Sequence, residues 1–166
     1  VYLNGSATPS VTLQPGEWYL TPNSAYTGTP HSNVYIRLSE PAYVYQFLAG
    51  SSSQSTPGLN FIPPISCGMP HSVDEIPSIQ SIGSTNYSGG IFAITEENAI
   101  LTIDGVVYGG GVVVDGFDGW ETYRILNLTG DITVESSGAV AVGLFGSSAD
   151  AGFSGYYSGF SLNIDA

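Results

Sequence analysis

The sequence predicts an all-β fold, a β-sandwich of two largely antiparallel sheets, and three observations carry that expectation. Helical periodicity never persists, because 22 glycines and 10 prolines interrupt the 166 residues too often for a 3.6-residue pattern to run for a dozen positions. Short alternating runs of β-branched and aromatic residues recur along the whole chain. Gly, Pro, Asn and Asp punctuate those runs at intervals that suit a sandwich or barrel.

In chain order the strand-like runs are residues 11–14, 18–20, 33–38 and 42–48, then 90–95, 100–103, 112–114, 123–128, 132–135, 139–145 and 160–164. Asp104-Gly105, between residues 101–103 and 106–108, predicts a two-residue hairpin, since glycine accepts the positive φ of a primed turn. Pro63-Pro64 cannot sit inside a central strand, so residues 51–88 are expected to run over an edge or end of the sandwich.

The chain also matches itself. Val1-Tyr-Leu-Asn-Gly5 resembles Leu101-Thr-Ile-Asp-Gly105, Glu17-Trp-Tyr-Leu resembles the stretch around Glu121 and Tyr123, and residues 34–47 align without gaps on 132–145. The offsets are 100, about 104 and 98. A duplicated strand unit relating residues 1–50 to 100–148 explains this order, and so does the general likeness of alternating β sequences.

Fourteen acidic side chains face two cations, Arg37 and Arg124, for a formal net charge of −12. Nucleic acid is excluded as a partner, because phosphate binding needs clustered Lys and Arg. No apolar run approaches a membrane span, so no direct membrane insertion is expected. Cys67 is the one cysteine, which rules out an intrachain disulfide and a cysteine-rich zinc site and leaves a small buried hydrophobe as its expected role. The chain starts at Val1 without a signal segment and stops at Ala166 after a strand-like run. Residues 1–166 are therefore read as a single domain cut from a longer protein.

Several ordered fragments resemble one family. Pro41-Ala-Tyr-Val-Tyr-Gln46, Phe61-Ile-Pro-Pro-Ile-Ser-Cys67, Ile76-Pro-Ser-Ile79, Gly89-Gly-Ile-Phe-Ala-Ile-Thr95, Leu101-Thr-Ile-Asp-Gly105 and Gly155-Tyr-Tyr-Ser-Gly-Phe160 are each similar to a segment of the N-terminal-like domains of IgGFc-binding protein, which occur also in large bacterial surface adhesins. The fragments span about two thirds of the chain, and the first forty residues carry little of the likeness. The resemblance implies an extracellular, ligand-binding sandwich without established catalytic chemistry, exposed at a cell surface. Peptide or glycan on a host or neighbouring cell is the partner implied by analogy with calcium-dependent bacterial adhesins.

Asp115, Asp118 and Glu121 recur every third residue among flexible glycines and are the candidate ligands of a Ca²⁺ ion, which needs six to eight oxygens. The plain alternative is a solvated Asp-Gly turn. Asp74-Glu75 and Glu96-Glu97 are weaker candidates, because adjacent strand side chains point oppositely. Trp120 and Tyr123 are the favoured ligand contacts, and Arg124 is a receptor for an anionic group if it is not paired with a carboxylate. Strand alternation is the preferred reading of Tyr35, Tyr43 and Tyr45.

Cys67, His71 and Asp74 lack the setting that would activate a thiol. The acids sit in turn contexts that leave none marked as a glycosidase acid. His31 reads as a loop residue. Asn4, Asn86 and Asn127 fit the glycosylation pattern in a Ser- and Thr-rich chain where chance supplies it. The expected function is a non-catalytic recognition module, with a structural spacer or shell domain as the alternative.

Overall fold

A computed structural model describes residues 1–48, 58–66, 68–149, 151–156 and 158. The fold is all-β as expected, with strand in 44% of the chain and helix in 2%, which leaves no helical layer to cover either sheet. In chain order the strands are β1 Tyr2–Leu3, β2 Ile36–Arg37, β3 Tyr45–Leu48, β4 Gly58–Phe61, β5 Ser72–Ile76, β6 Ser81–Ile82, β7 Thr85–Asn86, β8 Ser88–Glu96, β9 Leu101–Ile103, β10 Val106–Tyr108, β11 Val112–Val113, β12 Trp120–Leu126, β13 Ile132–Ser136, β14 Val140–Ser148 and β15 Ala151–Tyr156. Cys67 and the run 160–164 lie outside the described residues.

Two antiparallel sheets pack face to face: β10-β9-β13-β5, and β11-β12-β8-β14-β15. Register in the larger sheet places Ile125, Ile91 and Leu144 in one row, Tyr123, Ala93 and Val142 in the next, and Glu121, Thr95 and Val140 in a third. The side chains of these rows point inward because alternate strand residues share a face. Leu101, Ile103, Val134 and Ile132 meet the first two rows from the smaller sheet. Burying aliphatic side chains of this size stabilises by roughly 1.5–3 kcal/mol each, which is what holds the layers together.

The Asp104-Gly105 hairpin forms as expected, with φ of +50° and +76°. Pro63 and Pro64 lie outside any strand, between β4 and β5. Of the apolar side chains in the first 66 residues, only Leu3 and Pro63 are buried among those described. That part of the chain forms two separate ribbons, β1-β2 and β3-β4. The internal likeness is carried into the pairing: Tyr2↔Arg37 and Leu3↔Ile36 repeat Thr102↔Glu135 and Ile103↔Val134 at the offsets seen in the sequence.

Candidate functional site

Strand β12 divides the residues singled out from the sequence. Trp120, Thr122 and Arg124 stand on the outer face of the larger sheet, and Glu121, Tyr123 and Ile125 on the inner face, as alternation requires. Tyr123 is therefore corrected from a surface contact to a core residue, 6% exposed and packed within the main apolar cluster. Its hydroxyl donates to Glu121 Oε1 at 2.8 Å. Burial raises the Tyr123 pKa to about 12, and the hydrogen bond and negative charge of Glu121 add to the effect.

Glu121 is buried too, so it leaves the cluster proposed around Asp115 and Asp118. A β-carbon on Gly111 would collide with its carboxylate, which is why the chain carries glycine there. Asp115 and Asp118 stay exposed in the loop between β11 and β12, where Val114 N–H donates to the Trp120 carbonyl at 2.9 Å and closes the turn. Among the described residues no three His, Cys, Asp or Glu side chains come together in a metal-holding group. Asp74 accepts from the Ser72 hydroxyl at 2.9 Å, and His71 is exposed.

Trp120 is half-buried and, like Ile94, packs against the small cluster of Met69, Ala139 and Ala141. Phe117 lies parallel to it at 6.2 Å, and Tyr35 stacks on Phe117 at 4.4 Å. Tyr35 is thus a member of an aromatic stack rather than an alternating strand residue. It is positioned by Asn4, whose Oδ1 accepts from Tyr35 N–H at 3.0 Å while its Nδ2 donates to the Ala25 carbonyl at 2.7 Å.

The first-half segment then crosses β12. Asn33 Nδ2 reaches Thr122 Oγ1 at 2.9 Å and the Val112 carbonyl at 3.1 Å, and His31 Nε2 lies 2.9 Å from the Thr122 carbonyl. Trp120 and Arg124 consequently share a face but are separated by residues 31–33. His31 is half-buried and bonded rather than a free loop residue.

Arg124 is exposed, and its guanidinium carbon sits 5.3 Å from the Phe145 ring centroid. Phe92, opposite Arg124 in the register, stacks on Phe145 at 4.3 Å. Arg37 similarly lies 4.0 Å over the Tyr2 ring. Both arginines rest on aromatic faces, and neither has a carboxylate partner among the described residues. A guanidinium held this way keeps its hydrogen-bonding fork available. Phe92 and Phe145 were not legible as site residues, because only the register of β8 and β14 brings them to Arg124. Tyr43 and Tyr45, 79% and 51% exposed, meet Phe61 edge-on at 6.0 and 5.9 Å and form a second aromatic surface. A groove of about 260 Å³ opens beside β15, lined by Pro77, Ile79, Ile82, Leu144 and Phe153 and by small polar residues.

The sequence model of the IgGFc binding protein family matches residues 1–146. The chain belongs to that family. The match starts at Val1, so membership extends through the first forty residues, where the motifs show little likeness. No curated protein and no solved structure matches the chain. As an IgGFc-binding family domain it is an extracellular binding module of a family that is not enzymatic. None of its described helices is long and apolar enough to cross a membrane.

Proposed function

We propose that this domain is a non-catalytic recognition module of an adhesive cell-surface protein, and that it binds an acidic segment of peptide or glycan at Arg124. The observation that carries the reading is a solvent-facing guanidinium that has no carboxylate partner among the described residues, in a chain with fourteen acids, two arginines and no lysine. Phe92 and Phe145 supply an apolar floor beside it, and Trp120 with Phe117 extends the same face beyond residues 31–33. Calcium, bound weakly by Asp115, Asp118 and loop carbonyls, assists by offsetting the acidity around the anionic group. A single site of this size binds in the micromolar to millimolar range on the order-of-magnitude scale of small interfaces, and many copies on a cell supply avidity.

The test is a peptide and glycan array, with immunoglobulin Fc among the probes, read with and without calcium. Arg124→Ala is expected to lower a detected affinity by about ten- to a hundredfold, the worth of one charge-assisted hydrogen-bonding group, and Arg124→Lys by less. An array without any ligand, or one whose ligand ignores Arg124→Ala, would favour the spacer reading. The separate ribbons β1-β2 and β3-β4, which lack a core of their own, are the observation on that side.

A further inference from the structure

We infer that β10 is a docking edge, at which an extended segment of a partner protein, alternating apolar and basic residues, adds a fifth strand to the smaller sheet. Nothing in this depends on the ligand reading at Arg124. The four edges of the two packed sheets carry the inference by their contrast. An uncovered edge strand offers unpaired N–H and C=O groups to any other chain, and proteins block it with bulges, charges, proline or a covering segment. Three of the four edges here are blocked. Strand β5 is bulged where it pairs with β13, holds Glu75 at φ of +52°, and carries Asp74 beside it. Strand β11 has its Val113 carbonyl capped by Asn33 Nδ2 at 3.2 Å. Strand β15 has the β3-β4 ribbon against it.

Strand β10 carries none of these devices among the described residues. It consists of Val106, Val107 and Tyr108, with the two valines 59% and 65% exposed. In its two-residue hairpin Val106 pairs with Ile103 and Tyr108 with Leu101 through hydrogen bonds, so the N–H and C=O of Val107 point to the open side. The ladder behind has the matching phase: Asp104 N–H donates to the Thr133 carbonyl and Ser137 N–H to the Ile100 carbonyl, which leaves Ile103 and Leu101 to face β10. Gly109 continues the open row past the end of β10. A β-carbon there would meet no atom within 4 Å, and its φ lies outside the left-handed region, so nothing among the described residues calls for glycine. Close approach of another backbone is a setting that does.

Register and charge identify the occupant. Val106 shares the inner face with Ile103, and Val107 stands on the outer face in one row with Thr102 and Glu135. An added strand places alternate side chains beside Val106, where apolar groups extend the core face, and beside Val107, on the outer face. The sheet carries Asp74, Glu75, Glu135 and, in the hairpin turn, Asp104, and contains no Lys or Arg. Basic residues therefore suit the outer positions, with their alkyl stems over Val107. A second copy of this chain is the wrong occupant, because it brings the same net charge of −12 to an acidic edge.

The probe is a blocked peptide of about eight residues, the length of one strand, that alternates valine and lysine. Its addition is expected to slow hydrogen exchange of the Val107 amide about tenfold or more, with the already bonded Val106 amide as the reference. The same peptide N-methylated at alternate amides should not bind, and one alternating valine and glutamate should bind about tenfold or more weakly at low salt. Val107→Pro removes the outward N–H without touching a bond to β9 and should abolish binding. Val107→Lys leaves the backbone intact and should weaken it about tenfold by repelling the basic strand. The proposal is overturned by an unchanged Val107 amide at peptide concentrations on the order of millimolar, by equal binding of the glutamate or N-methylated peptide, or by binding that survives both substitutions. Protection of Val107 that arises merely on concentrating the protein alone would assign the edge to a second copy and overturn it as well.

Discussion

Glu121 and Tyr123 form a buried acid and phenol joined by a hydrogen bond. Such a pair ties core stability to alkaline pH. The Tyr123 pKa is raised from 10 to about 12, so the folded state keeps its proton after the unfolded chain has lost it. The contribution is complete below pH 10 and disappears as pH rises through about 12, because unfolding then releases a proton. Urea unfolding measured across that window should show a loss on the order of 2 kcal/mol. Tyr123→Phe should flatten that slope. At neutral pH the same variant should cost about 1–3 kcal/mol, since it strips the buried Glu121 carboxylate of its donor. Restored stability in the double variant Tyr123→Phe, Glu121→Leu would assign the cost to the orphaned acid rather than to lost packing, and equal instability of the two would reject this account.

At the scale of the element, β8 is the central strand of the larger sheet, paired along most of its length to β12 on one side and β14 on the other. Ile91, fully buried in its first row, is expected to cost about 2–5 kcal/mol on substitution by Ala, while Val107→Ala on the exposed edge strand β10 should stay within about 0.5 kcal/mol. Thermal melts of the two variants check the difference. Much of this architecture was legible in the sequence, because alternation and punctuation are local properties. The strands 90–95, 132–135 and 139–145 and the Asp104-Gly105 turn were recoverable that way. Pairing was not. Which strand lies beside β12 depends on contacts between distant residues, so the Arg124, Phe92 and Phe145 group stayed hidden while Tyr123 looked like a surface aromatic. Alternation through Trp120–Leu126 held the needed signal: it cannot place Trp120, Tyr123 and Arg124 on one face. The surroundings of the two arginines were hidden for a related reason. A composition rich in acids predicts that a partner exists, whereas the sheet register sets the nearest neighbour, and for both arginines that neighbour is an aromatic ring.

For the whole molecule, a net charge of −12 on 166 residues makes self-repulsion a general force against the compact state. Any salt relieves it by screening, so the melting temperature should climb with sodium chloride up to an ionic strength near 0.15 M, where the Debye length shrinks to about 8 Å. Specific calcium binding must exceed that background to count. With Glu121 turned into the core, only Asp115 and Asp118 remain as carboxylate donors on the loop, so affinity belongs in the millimolar range of extracellular calcium modules, roughly 10⁻⁴–10⁻³ M. Calcium at ten times such a Kd would stabilise by about 1.4 kcal/mol, or a few degrees in melting temperature for a chain of this length. The comparison is calcium chloride against sodium chloride at matched ionic strength, each with and without EDTA. An increment in calcium that Asp118→Ala removes and Asp74→Ala keeps would locate the ion on the loop. Coincident melting curves in the two salts would leave screening as the sole effect and eliminate calcium from the recognition mechanism.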